Sequence, residues 1–157
     1  MKEPNQMGSK MKIIIAYDQA ISQMIKGTIA ILKDHGYEIT DAGAEKEAIG
    51  EFTSSAKIVS EGIQSGEYQR GILFCGSGIG VCIAANKFHG VRAALAYDIL
   101  PAALSVIDNN ANVLCTGAWT MESDEKCAKM IETWLMVGYN NRDEKGMKCI
   151  EMIEQQF

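Results

Sequence analysis

The sequence predicts a single doubly wound α/β domain on a five-stranded parallel sheet. Three observations carry this. Short apolar runs of strand length alternate with segments whose apolar residues recur at helical spacing. The runs stay apolar throughout, as strands do when helices cover both faces of a parallel sheet. With 157 residues, 47% of them hydrophobic, and two prolines, the chain suffices for one buried core and is too apolar for a disordered chain.

The elements follow in order. Residues 1–10, MKEPNQMGSK, read as a loose, flexible tail, so one domain is expected over 11–157. KIIIAY (12–17) is the first strand, and Ile21, Met24, Ile25, Ile29 and Leu32 then share a helical face. His35 and Gly36 stop that helix, a basic residue in the last turn followed by glycine being a C-cap pattern. YEITDAG (37–43) gives a short strand and turn, Phe52 to Ile63 a second amphipathic helix, and GILFC (71–75) the third strand. Next come a strand at 91–96, a short helix at 101–107 and a strand at 112–116. The helix expected at 124–137 places Cys127, Met130, Ile131, Trp134 and Leu135 on one face. Thr120 or Ser123 is placed to cap it, and Glu122, Asp124 and Glu125 suit its positive N-terminal end. A polar joint, YNNRDEKG, leads to an additional C-terminal helix ending EMIEQQF.

Composition narrows the function. The net charge is -5, the pI is near 5.1, and Lys and Arg are scattered, so no nucleic-acid footprint and no anionic-membrane patch is expected. No apolar stretch approaches a bilayer span and the N-terminus lacks a signal-peptide centre, from which a cytoplasmic protein is expected. Five cysteines form an odd set without a Cys-x-x-Cys pair, which argues for reduced thiols and against a disulfide framework or a zinc site. Most of them read as small core hydrophobes.

One thiol stands apart. Cys75 ends the third strand, where ligands collect in an open parallel sheet, and glycines at 76, 78 and 80 follow it. Such glycines let backbone amides converge on an anion, and a helix starting near Ile79 adds its positive end. Gly71 and Gly76 have the spacing of a triphosphate loop, but Ser77 stands in the lysine's place. Val81 breaks both the dinucleotide pattern, which needs glycine there, and a Cys-x5-Arg phosphatase loop. Amides and a helix N-terminus lower a cysteine's pKa, and a thiolate beside an oxyanion-stabilising loop can take a proton alpha to a carbonyl. The plainer alternative is a buried cysteine that ends a strand.

GILFCGSGIGVCIAANKFHGVRAAL closely resembles the central motif of the ribose-5-phosphate isomerase B and galactose-6-phosphate isomerase family, and MKIIIAYD, GYEITDAG and NNANVL match its pattern in order. The resemblance implies a Rossmann-like three-layer α/β/α fold, no metal and no cofactor. It also implies a homodimer or higher homo-oligomer with shared active sites, and aldose-ketose isomerisation of a small sugar phosphate of the ribose 5-phosphate type. By resemblance, Cys75 is the base that moves a proton between C1 and C2, and Ser77 relays a proton between the two oxygens. Backbone amides of Gly76, Gly78, Ile79 and Gly80 hold the enediolate intermediate. Asp18 touches the sugar hydroxyls and Asn109 binds the sugar.

The sequence also departs from the family. Gln19 follows Asp18 where many members have histidine, and Asp108 stands where the ring-opening histidine is expected. Phe52 replaces a pocket-lining tyrosine. Three phosphate-gripping arginines fall on Trp119, Arg142 and Gly146, so Arg142 alone remains, with Lys145 or Lys148 as a candidate second cation. Asp18 also suits a helix N-cap, and Asp108 a solvated turn. His89 gains no role. The alternatives are one subunit of a heteromeric galactose-6-phosphate-type isomerase and a non-catalytic sugar-phosphate-binding homologue. A nucleotide-binding module ranks last.

Overall fold

The computed structural model describes residues 10–44 and 51–156. All of the expected tail except Lys10 lies outside the described residues. Five strands, β1 (Lys12–Tyr17), β2 (Glu38–Asp41), β3 (Arg70–Cys75), β4 (Ala93–Leu95) and β5 (Val113–Gly117), form one parallel sheet in the order β2-β1-β3-β5-β4. The described residues form six α-helices, α1 (Lys26–Asp34), α2 (Phe52–Gln64), α3 (Ile79–Ala85), α4 (Ile99–Ile107), α5 (Asp124–Met136) and α6 (Glu144–Glu154), of which the first five cover the sheet.

The continuous apolar strands are explained by two cores. Ile13, Ile15, Ile72, Phe74 and Leu114 point to one face, where α1, α4 and α5 pack; Ile14, Ala16, Leu73, Val113 and Cys115 point to the other, under α2 and α3. Alternate residues of the inner strands thus enter opposite cores, which favours apolar residues along their length, whereas the edge strand β2 keeps Glu38, Thr40 and Asp41. Trp134 is fully buried on the first face, and the Arg70 guanidinium lies 5.3 Å from its ring centroid.

Several boundaries shift, each for a local reason. After β1 the chain makes a 3-10 turn over Gln19–Ile21 before α1 begins at Lys26, because the Asp18 carboxylate accepts from the Ala20 amide at 2.9 Å. Ile21 and Ile25 stay buried, but Met24 is exposed, contrary to the expected helical face. β4 is shorter than expected because the Arg92 amide donates to the Asn112 side chain at 2.8 Å instead of to a strand. Asp98 caps α4 and starts it at Ile99.

Ser123 is the cap of α5, its Oγ accepting from the Lys126 amide, whereas the Thr120 hydroxyl donates to Gly117 O. Asp124 serves a second helix. Its carboxylate accepts the Thr28 amide at 2.8 Å and the Thr28 hydroxyl at 2.7 Å, near the start of α1. A Cβ on Gly27 would lie 2.1 Å from that carboxylate, so the site requires glycine. His35 ends α1 as expected and also meets Glu132 at 2.5 Å. Among the cysteines, Cys75, Cys115 and Cys127 are buried, while Cys149 is exposed and not part of the core.

No helix among the described residues is long and apolar enough to cross a membrane.

Candidate active site

The chain leaves β1 toward β2 on one side and returns through β3 on the other, which opens a crevice at the carboxyl ends of β1 and β3. Tyr17 pairs with Phe74, so the next residues, Asp18 and Cys75, leave the sheet side by side about 5 Å apart in strand spacing. The Asp18 amide donates to Phe74 O at 3.1 Å, which fixes this junction. Asp18 is both a turn cap and a resident of the crevice; the two roles are compatible, since one carboxylate oxygen serves Ala20. Gln19 is exposed at the same edge.

Cys75 is buried at the end of the central strand, and its sulfur accepts the Gly78 amide at 3.1 Å. That contact depends on Gly78 holding φ +79, a left-handed conformation that makes the loop double back and caps α3. A Cβ there would sit 2.5 Å from the Thr116 carbonyl carbon, so the loop is pressed against β5 as well as turned. Ser77 Oγ accepts the Ile79 amide at 3.2 Å, and the hydroxyl keeps its own proton to donate. The loop from Gly76 to Gly80 thus gathers a thiol, a hydroxyl and the first amides of α3 in one place.

The loop is braced on three sides. The amides of Ala118 and Trp119 donate to Cys75 O and Gly76 O, each at 2.9 Å, tying the exit of β5 to the loop. Tyr97, beyond β4, donates from its hydroxyl to Ser77 O at 2.6 Å. Phe52, the first residue of α2, packs on Gly80, where a Cβ would come within 3.0 Å of the ring. Tyr97 escapes a sequence reading because its link to Ser77 spans 20 residues and carries no periodic signal.

Other groups at this end titrate away from their ordinary values. Burial pushes the Cys115 thiol well up, and a hydrogen bond from Cys115 draws the Cys82 thiol down. Burial and the neighbouring Asp41 carboxylate push the Tyr17 phenol up to about 12. Among the described residues, no three His, Cys, Asp or Glu side chains gather as a metal-binding group.

The remaining expected residues lie elsewhere. Asp108 ends α4, and Asn109 follows it, ahead of β5. Because Gly71 pairs with Val113 and Cys75 with Gly117, this is the amino end of the sheet, about 13 Å along the strands from the Cys75 level. Arg142 joins them there, its guanidinium donating to the Asp108 carboxylate at 2.5 Å. Asp108 is therefore an ion-pair partner and not a solvated turn residue. Asn109 lines a groove of about 780 Å³ beside Lys87, His89 and Arg92, partly roofed by Ile150 and Ile153 of α6. Lys148 pairs with Glu144 on its own helix at 2.7 Å, both side chains remaining largely exposed. Gly146 has a local reason: the Asp143 cap accepts its amide, and a Cβ there would meet that carboxylate at 2.2 Å. One chain thus carries two separate halves of the expected site.

The comparisons with known proteins decide the family. The family model described as Ribose/Galactose Isomerase matches residues 13–153. The chain belongs to the ribose/galactose isomerase family. Among curated relatives of this isomerase, the 4-deoxy-4-sulfo-D-erythrose isomerase of Clostridium sp. (strain MSTE9) is 38% identical over 86% of this chain and 85% of its own. The ribose-5-phosphate isomerase B of Escherichia coli (strain K12) is 36% identical over 81% and 85%. The solved ribose-5-phosphate isomerase B of Clostridium thermocellum superposes with a TM-score of 0.85 at 32% identity, covering 93% of this chain and 99% of that one. The three-layer fold and the class of activity, sugar-phosphate isomerisation, are therefore those of the family.

Proposed function

We propose that this family member interconverts the aldose and ketose forms of a short sugar bearing a terminal anion, with Cys75 as the base. One observation carries the proposal: the Gly78 amide stands 3.1 Å from the Cys75 sulfur within a loop that also presents the Ser77 hydroxyl. From the aldose, Cys75 takes the C2 proton and the electron pair shifts to make an enediolate. Ser77 passes a proton from O2 to O1, and Cys75 returns its proton to C1. The proton balance closes with no net oxidation, so the step calls for no redox cofactor. The loop amides and the start of α3 stabilise the charge on the intermediate. Asp18, beside Cys75, holds sugar hydroxyls.

Asp108, Asn109 and Arg142 sit too far along the sheet to meet this loop in their own chain. We assign them to the loop of a second copy, in a homodimer whose two sites each draw on both chains. Arg142 engages Asp108 through one nitrogen and has further N–H donors for the substrate's anion.

The carbon chain follows from Asp108. A carboxylate accepting from a guanidinium is not set to donate the proton that opens a sugar ring. Ribose 5-phosphate closes a five-membered ring and needs that step. A four-carbon sugar substituted at C4, of the kind named for the 38% identical relative, has no hydroxyl that closes such a ring. The site therefore favours an open-chain, four-carbon substrate over ribose 5-phosphate. The five unpaired thiols fit work in the reducing cytoplasm.

The test is deuterium entry and isomer ratio by proton NMR in heavy water, with erythrose 4-phosphate, 4-deoxy-4-sulfoerythrose and ribose 5-phosphate as substrates. Conversion of the four-carbon sugars, abolished in Cys75→Ala, is expected. Mixing Cys75→Ala with Arg142→Ala, which removes the proposed grip on the substrate's anion, should restore about a quarter of the activity, since random pairing leaves one intact site in half of the dimers. No exchange with any sugar refutes the function, and no recovery on mixing refutes the shared site.

A further inference from the structure

Trp119 is the most exposed aromatic ring at the carboxyl end of the sheet, with 73% of its surface open to solvent. It is not loosely placed. Its amide is bound to Gly76 O at 2.9 Å, and its indole lies so close on Gly76 that a Cβ there would be 2.5 Å from three ring carbons. Gly76 is thus bare on the side where the ring lies. At the other end of the same loop Phe52, 39% exposed, rests on Gly80 in the same manner. The loop that presents Cys75 and Ser77 therefore runs between two exposed rings, each bearing on a glycine.

We infer that Trp119 is a specificity-determining residue, an apolar wall against which the carbon chain of the substrate lies while Cys75 works on C1 and C2. The inference rests on the isomerase function proposed above. An indole offers a flat face to the C–H bonds of a sugar and no charge to its anion, so the anion must leave the loop in another direction. The wall also fills space next to the reacting carbons, which suits a short chain. A rigid ring needs little ordering on binding, because its backbone is already held by Gly76.

The wall has a direct reporter. The chain has two tryptophans, and the other, Trp134, is fully buried in the core. Titrating Cys75→Ala, which binds without turning over, with erythrose 4-phosphate should change the emission of the exposed indole, and the change should vanish in Cys75→Ala/Trp119→Phe. In the active protein, Trp119→Ala should raise KM about tenfold while kcat stays within about threefold, as expected for lost apolar contact that acts alike on ground and transition states. Trp119→Phe, which keeps an aromatic face, should recover most of the loss.

An unchanged KM in Trp119→Ala, with an active parent protein, overturns the wall and leaves the isomerase standing. A Trp119→Ala protein that sediments as a monomer where the parent is a dimer places the ring in a subunit contact and likewise overturns it. A parent protein inactive on every sugar overturns the function and the wall with it.

Discussion

Gly78→Ala perturbs the turn on which the Cys75 site depends. Gly78 holds φ +79, and an added Cβ would approach Thr116 C at 2.5 Å and Thr116 O at 2.8 Å, backbone atoms that cannot swing aside. The left-handed conformation costs an alanine about 1–2 kcal/mol, and forcing a methyl into packed structure adds about 1–3 kcal/mol. The expected loss is about 2–5 kcal/mol, which lowers the melting temperature of a domain this size by about 2–4 °C per kcal/mol. Gly36→Ala separates the two contributions. Gly36 has φ +88 with nothing within 4 Å of its Cβ position, so it pays the conformational cost alone. Urea unfolding followed by the emission of buried Trp134 measures both variants. Turnover of Gly78→Ala should also fall about 100- to 1000-fold, because the amide that faces the Cys75 sulfur moves with the loop. If Gly78→Ala is no less stable than Gly36→Ala, the loop is not pressed against β5 and the argument from its geometry fails.

Two further outcomes concern the rest of the fold. Asp124→Ala leaves the amide of the fully buried Thr28 without its acceptor and its hydroxyl with only the weak Met121 sulfur at 3.5 Å, and should cost about 1–3 kcal/mol, with Asp124→Asn recovering most of it; equal melting temperatures for Asp124→Ala and the parent refute the cap. Alkaline stability should fall in a defined window. Tyr17 and Cys127 are pushed up, from 10.0 to about 12 and from 9.0 to about 11, so between these values the folded chain holds protons that the unfolded chain has released. Their stabilisation is complete below pH 9 and is lost as pH rises through the folded values. Urea midpoints measured from pH 8 to 11 should decline, and Tyr17→Phe should flatten the part above pH 10; a flat parent profile contradicts the burial of both groups.

The sheet was legible because its inner strands β1, β3 and β5 are apolar at nearly every position, a pattern that demands cover on both faces whatever the details of packing. The glycine loop was legible for a similar reason: Cys75, Ser77 and three glycines lie within six residues, so their proximity is fixed by the chain itself. Motif resemblance suggested the roles proposed for these residues and for Asp18. It also named Asp108, Asn109 and Arg142, but not that they stand at the opposite end of the sheet from the loop.

What the sequence determined by itself is therefore what short-range chemistry dictates: helix and strand periods, the loop, the caps at Asp18, His35 and Ser123, and the free thiols. The tertiary structure alone decided that Asp124 caps α1 as well as starting α5, that Tyr97 holds Ser77 from across the sheet, that Arg142 is spent partly on Asp108, and that Trp119 lies on Gly76. Each of these joins residues far apart in the chain, except that Asp124 also serves its own helix. Periodicity records which face of an element is buried, not which distant side chain meets it there; that meeting is set by the order of strands and the direction in which each helix returns.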